Sequence, residues 1–160
     1  MSETTKQVEQ SEQVLTFVVN EQEFGVDILR VQEIRGWTAP TPIPQAPPFV
    51  KGVINLRGDI VPIADLRERL GFARQAYGPS TVVIVLRTQG ATRERVLGVV
   101  VDAMSDVMTL PAKDIHPTPD LQASSETRHA RGIATVGEKL ITLLNVEALF
   151  GALGSEASAA

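Results

Sequence analysis

Phe24-Gly-Val-Asp-Ile-Leu-Arg-Val-Gln-Glu-Ile34 aligns without gaps on Leu97-Gly-Val-Val-Val-Asp-Ala-Met-Ser-Asp-Val107. Gly25 meets Gly98, Val26 meets Val99, Glu33 meets Asp106 and Ile34 meets Val107. A second match follows in the same order. Gly52-Val-Ile-Asn-Leu56 and Ile60-Val-Pro-Ile-Ala-Asp-Leu66 align, at one constant shift, with Gly132-Ile-Ala-Thr-Val136 and Leu140-Ile-Thr-Leu-Leu-Asn-Val146. Two collinear matches favour duplication over a chance likeness of Val-rich segments. Each half reads hairpin, turn, strand, hairpin, short helix. The simplest architecture is therefore two related small β-barrels of about five strands each. Repeat one covers about 14–71 and repeat two about 80–150.

Outward from these segments, short runs rich in Val and Ile are broken by Gly, Pro, Asn or Asp, the pattern of many short strands. The runs predict strands at Val14–Asn20, Glu23–Ile28, Gln32–Trp37, Gly52–Arg57, Ile60–Ala64, Ser80–Arg87, Arg95–Val101, Asp106–Leu110, Arg131–Val136 and Lys139–Leu144. The near-absence of long helical patterns excludes a βαβ fold and leaves a mainly all-β chain. Two short helices are expected. Asp65-Leu-Arg-Glu68 is a capping box closed by Gly71, and Asn145 opens a segment whose Val146, Leu149, Phe150 and Leu153 have helical spacing. Residues 1–13 and 151–160 are small or polar without periodicity and read as disordered or flexible tails around a folded unit at 14–150.

Composition narrows the function. The chain has 160 residues, 43% of them hydrophobic, enough for one compact domain or two small subdomains. A net charge of −4 without a basic block, and one Trp and one Tyr for stacking, argue against nucleic acid as a partner. The absence of Cys removes disulfides, thiolate nucleophiles and Cys-ligated metal. The polar, acidic N-terminus is unlike a signal peptide, and no apolar run approaches the roughly 18 residues that span a bilayer. A cytoplasmic protein without membrane insertion is expected.

No motif supports catalysis, and no cofactor is implied. Asp114 with His116, and Glu126 with His129, lack the one-faced spacing of a metal or acid–base site, so both histidines read as exposed loop residues. A small barrel enzyme using Asp114, His116 and His129 is the rival from a different class. Ala39-Pro-Thr-Pro-Ile-Pro-Gln-Ala-Pro-Pro48 contains a PxxP spacing from Pro44 to Pro47, a polyproline ligand in principle but more commonly a stiff connection. Arg57-Gly58-Asp59 reads as a tight hairpin turn in which Arg57 keeps its forked donor free for a carboxylate or a partner. Glu33 and Asp106 interrupt apolar strands, so they are expected to face solvent or pair with a base such as Arg57. Val31, Ile34, Met104 and Val107 occupy equivalent places in the two repeats and suggest either an apolar groove between the barrels or ordinary core.

Phe24–Arg35, Lys51–Gly58, Ile60–Leu66 and Val101–Val107 resemble, in order, the signature segments of the CheW family of chemotaxis coupling proteins. The likeness runs from about Val14 to Phe150. It implies two SH3-like five-stranded β-barrel subdomains with exchanged strands, no catalytic activity, and a chain that is monomeric when free. The implied partners are the cytoplasmic tip of a chemoreceptor (a methyl-accepting chemotaxis protein) and the regulatory domain of a CheA-type histidine kinase, within membrane-associated arrays. Val31, Glu33, Gly52, Arg57, Met104 and Val107 fall where the family's coupling residues lie. Met104 stands where the family often has Val, and the Thr88–Arg95 loop is longer than in familiar members. A regulatory domain cut from a kinase, or a coupler serving another pathway, would share the fold. The start Met, the polar tails and the lack of a receiver or ATP-binding segment favour a stand-alone coupler.

Overall fold

The structure is a computed structural model that describes residues 10–88, 95–117 and 129–149. Their strands are β1 (Ser11–Val19), β2 (Gln22–Asp27), β3 (Val31–Gly36), β4 (Val50–Leu56), β5 (Asp59–Asp65), β6 (Val82–Arg87), β7 (Val96–Val101), β8 (Ala103–Pro111), β9 (Ile115–His116), β10 (Ala130–Val136) and β11 (Lys139–Leu144). They form a six-stranded sheet ordered β8-β1-β2-β11-β10-β9 and a five-stranded sheet ordered β3-β6-β7-β5-β4. Helix α1 (Leu66–Arg69) follows β5 and helix α2 (146–149) follows β11. The strands are exchanged: hairpin β1–β2 of repeat one joins β8–β11 of repeat two, while hairpin β6–β7 of repeat two joins β3–β5 of repeat one.

Two parallel seams carry the exchange. β2 lies parallel to β11 with Gly25 opposite Leu143, and β5 lies parallel to β7 with Ile63 opposite Gly98. These pairings obey the repeat symmetry found in the sequence. A glycine is needed at the second seam because a Cβ on Gly98 would stand 2.6 Å from Ile63 Cδ1 and 3.0 Å from Val83 Cγ1. The strand ends obey local chemistry too. Asn20 (φ 55°) and Glu21 (φ 64°) form the two-residue turn between β1 and β2, with both residues left-handed as a type I′ turn requires. The Asp65 carboxylate accepts from the backbone N–H of Arg67 at 2.9 Å and of Glu68 at 3.4 Å, and Gly71 (φ 90°) ends the helix. Asn145 caps α2 through Ala148 N at 3.2 Å.

Alternation along the strands sorts the apolar side chains into three cores. Val61, Ile63, Val83, Val85 and Val100 fill the five-stranded barrel, and Val14, Leu110, Ala134, Ile141 and Leu143 fill the six-stranded one. Neighbouring residues of the same strands, including Leu15, Phe17, Phe24, Ile84, Leu86 and Leu97, point the other way into a third core shared by both barrels. Each large side chain fully buried there contributes about 1.5–3 kcal/mol, so apolar packing is the main force joining the barrels. Val146 and Leu149 pack into this shared core as their spacing suggested, while Phe150 and Leu153 lie outside the described residues.

Several boundaries differ from expectation. β1 begins at Ser11 and not at Val14, because Ser11–Gln13 pair with Thr109–Pro111. β8 begins at Ala103, well before Asp106, because β1 offers it a partner along its whole length. The stretch between Pro111 and Ala130 holds an additional strand, β9, paired with β10. His129 is 3% exposed, not the exposed loop histidine expected, and its carbonyl accepts from Asn145 N at 2.7 Å at the turn into α2.

Gly98→Ala is expected to lower unfolding free energy by about 1–3 kcal/mol in chemical denaturation, since the added methyl must displace Ile63 in a packed core. An unchanged midpoint would mean that the seam tolerates a side chain. A second prediction concerns Asp65, which is 3% exposed and accepts a hydrogen bond from the Tyr77 hydroxyl at 2.8 Å. Burial pushes its carboxyl above the ordinary value of 3.8, partly countered by that hydroxyl, so its contribution is full at low pH and is lost as pH rises past that value. Asp65→Asn retains a good cap, as Asn145 shows, and should stay within about 1 kcal/mol of the parent. Relative to the parent it should gain stability between pH 3 and pH 7; the same difference at both pH values would contradict this account.

Candidate partner-binding surface

Glu33 follows a β-bulge. Val31 pairs with Leu86 and Glu33 with the adjacent Val85, leaving Gln32 extra on β3. The bulge re-aims Glu33 so that its Oε1 lies 2.9 Å from Nη2 of Arg57, with the two side chains 23% and 72% exposed. Arg57 occupies the turn between β4 and β5, where it is left-handed (φ 51°) beside Gly58 (φ 94°), whose N–H donates to Asn55 Oδ1 at 2.8 Å. The sequence placed Arg57 at a strand end with glycine alone supplying the unusual φ; both turn residues do. A left-handed non-glycine residue costs roughly 1–2 kcal/mol, more than an exposed ion pair of ~0–1 kcal/mol returns. In the other repeat the equivalent position is Gly137 (φ 61°), which adopts the turn without that cost. The first repeat therefore carries an exposed guanidinium on a left-handed residue where the second has glycine.

The other candidates divide between the two sheets. Val31 on β3 and Met104 on β8 are half-buried and both rest on the shared core, whereas their strand neighbours Ile34 and Val107 are 42% and 49% exposed. The four neither line a single groove nor all belong to the core. Asp106, the repeat counterpart of Glu33, turns its carboxylate to its own strand, accepting from Val107 N at 2.8 Å. Its backbone N and O both bond Thr16 Oγ1 at 3.0 Å, which satisfies the β8 bulge. Gly52 is buried with φ 143°, and a Cβ there would stand 2.1 Å from the Thr41 carbonyl oxygen. Thr41 bridges Val53, so Gly52 seats the proline-rich strap on β4.

Arg67 is the residue that sequence reading passed over. Placed by α1 and 8% exposed, it directs Nε to Asp102 Oδ1 at 3.4 Å, Nη2 to Asp102 Oδ2, and Nη1 to Asn20 Oδ1 at 3.1 Å. Asn20 N donates to Asp102 Oδ2 at 2.8 Å. A cleft of about 190 Å³ lies over this network, lined by Asp65, Arg67, Tyr77 and Asp102 among others. Nothing in the sequence set Arg67 apart, since it shares the segment Ile63 to Leu70 with the charges of Asp65, Glu68 and Arg69.

The remaining motifs carry little. Gln45 is left-handed (φ 62°), so Pro44–Pro47 is not a polyproline helix. His116 is exposed on β9 while His129 is buried, and Glu126 and most of the Thr88–Arg95 loop lie outside the described residues. Among the described residues no group of three or more His, Asp or Glu side chains could hold a metal ion, and no helix is long and apolar enough to cross a membrane.

Comparison with known proteins agrees with this geometry. Residues 13–153 match the model of the CheW-like domain. The chain is 40% identical to the probable chemotaxis protein CheW of Rhizobium etli, over 99% of this chain and 100% of that one. It is 43% identical to the chemotaxis protein CheW of Klebsiella aerogenes, over 86% and 81% of the two chains. The crystal structure of the scaffolding protein TtCheW from Thermoanaerobacter tengcongensis superposes with a TM-score of 0.79 at 30% identity, covering 87% of this chain and 92% of that one. A duplicated pair of barrels with exchanged hairpins and a match along nearly its whole length together establish that the chain belongs to the CheW family.

Proposed function

We propose that this chain is a non-catalytic adaptor in chemotaxis signalling that couples chemoreceptor cytoplasmic tips to a CheA-type histidine kinase and supports control of that kinase. It works in the cytoplasm, is monomeric when free, and is recruited to membrane-associated receptor arrays. Relatives named as chemotaxis proteins and a solved relative described as a scaffolding protein support the reading. The observation that carries it is Arg57, an exposed arginine held left-handed beside Glu33 where the second repeat has glycine. Val31, Glu33, Arg57, Met104 and Val107 are the proposed contact residues, and Gly52 serves them through the backbone.

Coupling requires more than joint binding. A scaffold that holds every receptor and kinase state equally well shifts no equilibrium, so the chain must favour one kinase arrangement when the receptor changes. Two apolar-cored barrels locked face to face supply a rigid body able to carry such a preference.

The test mixes the full chain with a receptor signalling tip and a CheA-type kinase, separately and together, and follows binding and autophosphorylation. Binding to both, with altered phosphorylation in the ternary mixture, is expected; binding to neither would leave the fold without this function. Arg57→Gly should melt at or slightly above the parent temperature, because glycine relaxes the turn, yet bind one partner roughly tenfold more weakly. Glu33→Lys should weaken binding similarly with the fold intact. If both variants bind like the parent, the pair has no part in the surface. Gly52→Ala, in contrast, should lose more than about 2 kcal/mol of stability, because both the steric clash with Thr41 and the positive φ oppose it.

A further inference from the structure

The chain crosses between the barrels twice, and the two crossings are held differently. The first is the single turn Ile28–Arg30 between β2 and β3, secured by Arg30 Nη1 to Glu147 Oε1 at 2.7 Å with side chains 18% and 49% exposed. The second is Asp102, the residue between β7 and β8. There a buried guanidinium takes both carboxylate oxygens and the side chain of Asn20, while Asp102 N donates to Val18 O at 3.0 Å and Ser80 Oγ donates to Asp102 O at 3.1 Å. Four segments meet at Asp102: α1, the segment before β6, the β1–β2 hairpin and the start of β8.

We infer that Arg67, through Asp102 and Asn20, is a positioning residue that fixes the orientation of the six-stranded barrel on the five-stranded one and so sets the geometry between the two parts of the coupling surface. The inference rests on the coupler reading for its functional consequence. Met104 stands two residues beyond Asp102, whereas Glu33 and Arg57 belong to the barrel that carries Arg67. Apolar packing in the shared core holds the barrels together but is itself non-directional. An ion pair with a buried guanidinium, a carboxylate side chain 33% exposed and several hydrogen bonds is directional, and fixing register is the best-attested use of such pairs. A forked donor suits this role: lysine could not reach two carboxylate oxygens and an amide from one rigid plane.

Two variants test it in the full chain. Asn20→Gly keeps the left-handed turn and removes one acceptor of Arg67; Arg67→Lys keeps the charge and removes the fork. Residual dipolar couplings on the free protein should fit one alignment tensor for both barrels in the parent and a changed relative orientation in each variant, with Glu147→Gln at the other crossing behaving like the parent. With partners, each variant should bind receptor tip and kinase singly within about twofold of the parent but lose about fivefold or more of the ternary effect on phosphorylation. Parent-like couplings in both variants, or an equal shift in Glu147→Gln, would overturn the positioning role. A shifted orientation with a parent-like ternary effect would overturn its functional consequence. A parent that leaves the kinase unaffected would count against the coupler reading, and the couplings would still decide what Arg67 does.

Discussion

Two parallel seams, β2 on β11 and β5 on β7, are the constraint on which everything else depends. Each joins a hairpin of one repeat to the strands of the other, so neither repeat completes a sheet by itself. Because the seam strands are central, their outward faces cannot meet solvent. They meet each other in the shared core, where Phe17, Phe24, Ile84 and Leu86 are fully buried. Glycine at the tighter of the two seams, Gly98 against Ile63, lets that seam close without displacing the core of the five-stranded barrel.

The same symmetry separates two arrangements of one turn and one bulge. Equivalent turns hold Arg57 and Gly137, and equivalent bulges hold Glu33 and Asp106. In one half the carboxylate pairs with an exposed arginine; in the other it serves its own backbone. The first places a largely exposed guanidinium on a left-handed residue beside a half-buried carboxylate. Helix residues Arg67 and Glu147, which occupy equivalent places, pair across the two crossings with opposite sign and very different burial.

Much of this was legible in the linear order of residues. The gapless matches of Gly25 with Gly98 and of Gly52 with Gly132 marked the duplication, and at Gly52 and Gly132 an added Cβ would stand 2.1 Å from the Thr41 carbonyl oxygen and 2.9 Å from that of His116. The capping residues Asp65 and Asn145 announced both helices, because a cap acts over three residues of sequence. Pairing with a base such as Arg57 was one of two outcomes expected of Glu33 and Asp106; Glu33 takes it, while Asp106 stays exposed and bonds its own strand. The burial of His129, the short strand β9 and the start of β8 at Ala103 were not legible, since each depends on a partner strand or helix far along the chain.

Sequence by itself therefore determined the duplication, the all-β character, the helix caps, the turns and the family, all of which rest on local periodicity, local hydrogen bonding or direct likeness. Only the tertiary structure decided which hairpin joins which barrel, that Val31 and Met104 abut a shared core while Ile34 and Val107 stay exposed, that Gly52 works by seating Thr41, and that Arg67 grips Asp102. The physical reason is the same in each case. Strand alternation says that a side chain faces one side or the other, but what waits on that side is set by residues brought together across long stretches of chain, and repeated sequences offer each strand two nearly equal partners.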